Sequence, residues 1–362
     1  MTGRFAGALI VGGGPAGASA AIELARAGRP VRLLERSEGE HDLVCGGFLG
    51  WDSLRALGRL GVDVADLGAR PIRRLRLVSG RRRVEAGLPA AAAGLSRRKL
   101  DSALLHAAAR AGALVERGRN AKAADIDRLS VRLDDGETVA ADTLLLATGK
   151  HELRGAQRNR DTSGDPVGLR AALACTDALE RALAGMIELH LFDGGYAGLL
   201  LQEDGRANLC LSVARARLRE AGGIEPLMAE LMREQPLLAE RLEEGLPEKW
   251  SAVSGVPYGW RTGETRPGLY RLGDQAAVIA SLAGDGIAIA LASGRAAAEA
   301  VIAGISAPDY QKSFAAHAAR PIAIGETLRW AAEHRAGRGP MMALAAAPLL
   351  PGLAARLTRI GA

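Results

Sequence analysis

Residues Gly7–Arg36 read GALIVGGGPAGASAAIELARAGRPVRLLER. The apolar run ending at Val11 suits a strand buried on both faces of a parallel sheet, and it stops at a glycine turn. Pro15 fits the first turn of a helix, where its missing N–H is not needed, and Gly28 closes that helix before a second apolar run, VRLLE. The stretch is therefore one strand–helix–strand unit. Gly12, Gly14 and Gly17 stand in GxGxxG spacing at its first turn, with Pro15 and Ala16 between the last two. Glycines there allow a tight turn, close approach of a pyrophosphate and close helix–strand packing, while the helix N-terminus turns N–H groups toward the phosphates. Glu35, 18 residues after Gly17 and just before Arg36, sets a carboxylate where a ribose presents hydroxyls. Its charge disfavours a 2′-phosphate, so the expected nucleotide is FAD or NAD and not NADP.

At 362 residues the chain exceeds the roughly 250–300 residues at which single cores stop growing, so two lobes sharing a cleft are expected. The net charge of +6 is spread along the chain without interleaved aromatic residues, so nucleic acid is not an expected partner. Cys45, Cys175 and Cys210 form no CxxC pair and no Cys/His cluster. Neither a metal site nor structural disulfides are expected, and the chain reads as cytoplasmic, with no removable leader at its start. The apolar tract MMALAAAPLLPGLAARL, Met341–Leu357, is broken by Pro348 and Pro351 and is too short for a span of roughly 20 residues. It is expected to pack as a C-terminal helix, with peripheral membrane contact as the most it could add.

A helix is expected from Trp51, an arginine-rich hairpin over Ile72–Ala86, and a second helix from SRRKLDSALLHAA. Two alternating runs flank the turn Asp134-Asp135-Gly136, and a buried strand ends at Thr148-Gly149. The runs MIELHLF, GGYAGLLLQEDGRANLCLSV and KWSAVSGVPYGW are expected strands of a second sheet, with residues 214–245 helical between the last two. The expected class is α/β. A Rossmann-like nucleotide-binding domain takes 1–70, 95–165 and 265–305; an inserted mixed-sheet substrate domain takes 71–94 and 166–264; residues 306–362 form a C-terminal helical segment.

Three further motifs carry a resemblance. YRLGDQAA holds Gly273 and Asp274; SLAGDGIAIAL holds Gly284, Asp285, Gly286 and Ile287; and Arg97, Asp101 and Leu104 keep Arg-x-x-x-Asp-x-x-Leu spacing. Together with LLLATGKHELRG they resemble the flavin fingerprints of the large family of aromatic-ring hydroxylases, of the p-hydroxybenzoate hydroxylase type, and geranylgeranyl reductases. The resemblance implies bound FAD, with Asp274 at its ribitol–pyrophosphate part, Arg97 beside it, and the glycine-rich start of the next helix at the flavin O2 side. VCGGFL resembles the Cys-Gly-Gly segment of the geranylgeranyl reductase branch, which implies that Cys45, Gly46 and Gly47 line the flavin cavity. Cys45 is then a wall of that cavity or a thiol that acts in it; no neighbouring His or Lys is evident along the chain.

The chain also departs from both branches. Where geranylgeranyl reductases often carry Tyr-x-Trp-x-Phe-Pro it keeps Tyr196 but has Gly198, Leu200 and Leu201, and where hydroxylases often carry Ala-Asp-Gly it has Ala147-Thr148-Gly149 and then Lys150. Cys45 and Tyr196 are the candidate catalytic residues. The expected activity is that of an FAD-dependent oxidoreductase of the reductase or dehydrogenase type, acting on an apolar small molecule such as a lipid, isoprenoid or polyketide. A flavin monooxygenase and a non-redox, flavin-assisted isomerase or cyclase are the alternatives. Electrons would come from NADH or NADPH bound transiently, or from a redox partner protein.

Overall fold

The first apolar run forms strand β1 (Arg4–Val11), whose last four residues are buried. In the computed structural model, which describes residues 4–160, 162, 164–247, 249–347, 352 and 356–360, β1 lies between β2 (Val31–Glu35) and β9 (Thr138–Leu146), both parallel to it. β6 (Leu114–Arg117) extends this sheet beyond β2. On its other side β9 pairs first with the hairpin β7 (Ala121–Asp125) and β8 (Ser130–Leu133), then in parallel with β15 (Leu269–Arg271). The chain thus leaves the sheet after β9 and returns to it at β15.

Helices α1 (Pro15–Arg26), α3 (Arg97–Arg110) and α8 (Gly286–Ala303) bury their apolar sides on one face, against Ile10, Leu33 and Leu145. Small residues bring α1 and α8 together: a Cβ on Gly294 would lie 2.2 Å from the Ala16 carbonyl oxygen. Among the described residues α8 is long and apolar enough to cross a membrane by length and composition, yet half of it is buried in this packing.

The second sheet runs β14 (Ser251–Val253), β10 (Val167–Ala174), β13 (Arg206–Val213), β12 (Gly195–Gln202), β11 (Gly185–Phe192), β4 (Arg70–Ser79), β5 (Arg82–Gly94) and β3 (Phe48–Leu49). Its neighbours are antiparallel except β4 and β11, which makes it a mixed sheet. The amphipathic α6 (Ile224–Glu234) and α7 (Pro236–Arg241), reached through α5 (Arg215–Glu220), place Leu227, Leu231 and Leu238 against Leu169, Leu199 and Leu209 on one face. α4 (Asp177–Leu183) joins β10 to β11, and α2 (Trp51–Arg59) follows β3.

Two placements differ from the sequence reading. β3, inside the segment assigned to the nucleotide domain, pairs with β5 of the second sheet. In KWSAVSGVPYGW only Ser251–Val253 is strand, because Gly255 and Gly259 take left-handed φ of +71° and +78° around Pro257, which has no N–H for a ladder.

A charged cluster is built into β11. Glu188 is fully buried; its carboxylate accepts from Arg76 Nη1 at 2.5 Å and Arg241 Nε at 3.2 Å, and lies 2.9 Å from His190 Nε2.

The C-terminal segment holds α9 (Ala307–Glu333), α10 (Arg335–Ala346) and a buried end at Thr358–Ile360. The expected apolar tract is helical as far as Ala346; its residues 348–351 and 353–355 lie outside the described residues. Arg359 pairs with Asp285, stands 3.3 Å from Asp52 Oδ1, and lays its guanidinium 4.1 Å from the centre of the Trp51 ring. Both carboxylates are buried, so Arg359→Ala strands them. We expect a loss of about 2–3 kcal/mol and a melting temperature roughly 3–4 °C lower, partly restored in Arg359→Lys, as thermal unfolding would record.

Candidate flavin site

The ends of β1, β2 and β9 open on a cavity of about 480 Å³ between the two sheets. Gly12 turns the chain out of β1 at φ +107°, and a Cβ there would lie 2.4 Å from the Ala147 carbonyl oxygen. Gly14 caps α1 in extended geometry without a side-chain bond. The first N–H groups of α1 therefore have no side-chain cap, unlike those of α3, where Ser96 Oγ accepts from Lys99 N at 3.2 Å. α8 likewise starts with no side-chain cap at the same cavity.

Glu35 is fixed at the end of β2. Its carboxylate accepts from Gly13 N at 2.7 Å and Ser37 N at 2.9 Å. Arg97 grips Asp101 through two bonds of 2.8 and 2.6 Å. Burial opposes the Arg97 charge, but Asp101 outweighs it and holds the guanidinium above its usual range. Across the cavity Lys150 Nζ stands 3.2 Å from Asp274 Oδ2; that carboxylate raises the ammonium pKa against the pull of burial.

The Cys-Gly-Gly loop closes the cavity from the substrate side. Gly47 takes φ +72° beneath Gln202, and Phe48 fills the space that a Cβ on Gly284 would enter, 2.8 Å from its Cδ1. The two glycine-rich loops are thus packed on each other. Asp42 is held by Arg170 at 3.0 Å, which ties this loop to β10.

Gly12, Gly14, Pro15, Ala16, Glu35, Arg36, Cys45, Gly46, Gly47, Arg97, Gly273, Asp274, Gly284, Gly286 and Ile287 all line this one cavity. Gly17 does not. It packs helix on strand, and a Cβ there would lie 2.0 Å from the Gly12 oxygen. Asp285 is fully buried and turns to Arg359 instead of the cavity. Tyr196, also buried, stands one hydroxyl behind the wall, bonded to the cavity-lining Ser281.

Comparison with known proteins agrees with this geometry. Residues 6–155 match the FAD binding domain family. The chain is thus similar to FAD-dependent oxidoreductases. A menaquinone reductase of Mycolicibacterium smegmatis is 30% identical over 251 residues, covering 63% of this chain and 60% of that protein. The chain therefore matches less than two thirds of the length of that relative. Among solved structures, a flavin-dependent brominase superposes with a TM-score of 0.80 at 15% identity over 98% of this chain and 93% of that one. A flavoprotein/dehydrogenase from Cytophaga hutchinsonii gives 0.80 at 16% over 97% and 92%. These two likenesses are likenesses of fold.

The site suits FAD on its own chemistry. Two uncapped helix starts would meet the anionic and electron-rich parts of a dinucleotide, glycines would leave the backbone open to it, and the fixed Glu35 carboxylate would face its ribose end. When bound, FAD supplies a two-electron carrier that moves hydride between donor and substrate.

Sequence reasoning missed Tyr258, Ser281 and the role of Lys150. Tyr258 and Tyr196 both bond the Ser281 hydroxyl, forming a chain of three hydroxyls that leads from the cavity wall at Tyr258 and Ser281 to Tyr196 behind it. Burial raises the pKa of both phenols, so they remain donors. Arg329 of α9 sits 5.7 Å from the Tyr258 ring centre and holds it from behind. Lys150 and Arg97 line the same cavity as Cys45, neighbours that the local sequence around Cys45 did not show. The only local sign of this was a lysine directly after Thr-Gly.

Proposed function

We propose that this flavoprotein is a reductase that transfers hydride to a conjugated bond of an apolar, isoprenoid-bearing lipid of the polyprenyl quinone class. The observation that carries this reading is the inner wall of the cavity. Leu211, Val253, Val256, Val278 and Ile279 make it apolar, and Tyr258 and Ser281 give it hydroxyl donors. Such a wall accepts a hydrocarbon chain and orients one polar end of it. The likeness to a menaquinone reductase supports the same substrate class.

In this reading the residues divide the work. Gly12–Ala16, Glu35, Arg97 and the start of α8 hold the cofactor; the Lys150–Asp274 pair fixes charge beside it; and the apolar wall excludes water. Tyr258, kept protonated by its surroundings, delivers the proton that must follow hydride to the substrate. Electrons come from NADH or NADPH bound transiently, or from a redox partner protein, in a cytoplasmic enzyme that meets its lipid at the membrane surface.

Tyr258→Phe is then expected to lower kcat about 100-fold with flavin content unchanged. Tyr196→Phe, one hydroxyl further back, should cost less than about tenfold. Steady-state kinetics on the two flavin-loaded variants checks the order. The reaction itself is tested by mass spectrometry after incubation with menaquinone and NADH or NADPH, with and without air. A product heavier by two hydrogens, formed without air, is the expected result. A product heavier by one oxygen, formed only in air, would replace this reading with a monooxygenase.

A further inference from the structure

Cys45 and Cys210 come from loop and strand 165 positions apart, and both line the same cavity. β13 turns Asn208, Cys210 and Ser212 to the same face, since side chains alternate along a strand. The Cys-Gly-Gly loop touches that face at two points. Asn208 Nδ2 donates to the carbonyl oxygens of Cys45 at 3.1 Å and Gly46 at 2.9 Å. Val44 covers Gly168, the β10 partner of Ser212: a Cβ on Gly168 would lie 3.1 Å from Val44 Cγ1. Cys210 stands between Asn208 and Ser212, and so beneath the Val44–Cys45 segment. Both thiols are free and half-buried.

The two differ in character. Burial and the neighbouring Cys45 push the Cys210 thiol up to about 12, which keeps it protonated. Cys45 lines the cavity together with Arg97 and Lys150, on the side a peroxide entering the cavity would reach.

We propose that Cys45 and Cys210 are a redox pair, in which a hydroperoxide oxidises Cys45 and Cys210 closes the product to a disulfide across the flavin cavity. In the first step the Cys45 sulfur attacks the peroxide. An S–O bond forms as the O–O bond breaks, the second oxygen leaves as water or alcohol, and Cys45 becomes a sulfenic acid. In the second step the Cys210 sulfur attacks that sulfenic sulfur, the S–S bond forms, and water departs with the Cys210 proton. The two thiols have lost two electrons to one peroxide, and a dithiol reductant restores them. The disulfide fastens the Cys-Gly-Gly loop to the substrate sheet, so oxidation acts on the wall that contacts substrate. In a reducing compartment such a bond is transient, as a sensor requires. The inference rests on the two chain segments and not on the identity of the substrate or electron donor.

The flavin-loaded protein, reduced and desalted, is treated with one equivalent of hydrogen peroxide, quenched with N-ethylmaleimide and digested with trypsin without reductant. The expected product links the peptide Ser37–Arg55 to the peptide Ala207–Arg215, is at least about tenfold more abundant than any oxidised Cys175 peptide, and disappears with dithiothreitol. In Cys210→Ser the Cys45 sulfenic acid should persist and take up dimedone. The wild-type digest decides even if that variant folds poorly. Persistent Cys45 sulfenic or sulfinic acid in the wild type with no linked peptide would overturn the pair. So would oxidation of Cys175 as fast as Cys45, or a disulfide that involves Cys175.

Discussion

Gly12→Ala is expected to give a colourless protein. Gly12 holds φ +107°, a region that costs an alanine about 1–3 kcal/mol, and its new Cβ would stand 2.4 Å from the Ala147 carbonyl oxygen and 2.8 Å from the Ala147 carbonyl carbon. Those are backbone atoms at the end of β9, hydrogen-bonded through Ala147 N to Val11 O, and they cannot step aside. The strand-to-helix turn must open, and with it the cradle for the phosphates. We expect a loss of about 3 kcal/mol or more in stability and at least a 100-fold drop in FAD affinity. Gly14→Ala supplies the control. Gly14 has φ −70°, and an added Cβ would meet only the tip of the flexible Arg97 side chain, at 3.2 Å. That variant should fold with near-normal stability and still bind FAD less tightly, because the methyl group intrudes where a phosphate approaches. Thermal unfolding and flavin titration of both proteins separate the two effects. Equal flavin binding in Gly12→Ala and the parent would contradict the assignment of this turn.

The second large effect is remote from the cavity. Burial alone would raise the pKa of Glu188, but His190, Arg76 and Arg241 prevail and hold it at about 2 against an ordinary 4.5. A carboxylate depressed in the folded state stabilises fully above its unfolded pKa and loses that contribution as pH falls through its folded one. Glu188→Gln is therefore expected to cost about 3 kcal/mol at pH 7, since it leaves two guanidinium groups facing a neutral amide. The difference between the variant and the parent should narrow below about pH 4.5 and close near pH 2. Urea unfolding across that window measures it. A difference that stays constant with pH would mean that Glu188 acts by shape and not by charge.

How much of this was legible follows the range of each signal. The turn Gly12–Gly17 and the carboxylate of Glu35 sit inside one strand–helix–strand unit, where spacing along the chain is spacing in space. The return at β15 and α8 was legible through Gly273, Asp274 and the glycines around Asp285. Their local pattern was readable even though their partners lie far away. Asp285 shows the limit of such a pattern: its motif pointed to the cofactor, while its side chain answers Arg359, 74 residues later. Tyr258 was lost for a related reason. The alternation of KWSAVSGVPYGW suggests a strand, but two left-handed glycines and Pro257 bend it, and only the bend delivers the phenol to Ser281. The Lys150–Asp274 proximity depends on β15 returning to pair with β9, and the Cys45–Cys210 proximity on a loop of one lobe meeting the sheet of the other; no local periodicity records either.

The most direct test of the central claim is a stopped-flow measurement on the FAD-loaded protein. The flavin is reduced without air, by NADH, NADPH or dithionite, and its absorbance is followed after mixing with either menaquinone or dissolved oxygen. The account predicts that menaquinone restores the oxidised spectrum faster than oxygen does, and that Tyr258→Phe slows only the reaction with menaquinone. Rapid reoxidation by oxygen with no response to menaquinone would contradict it, and a protein that retains no FAD would contradict the site itself.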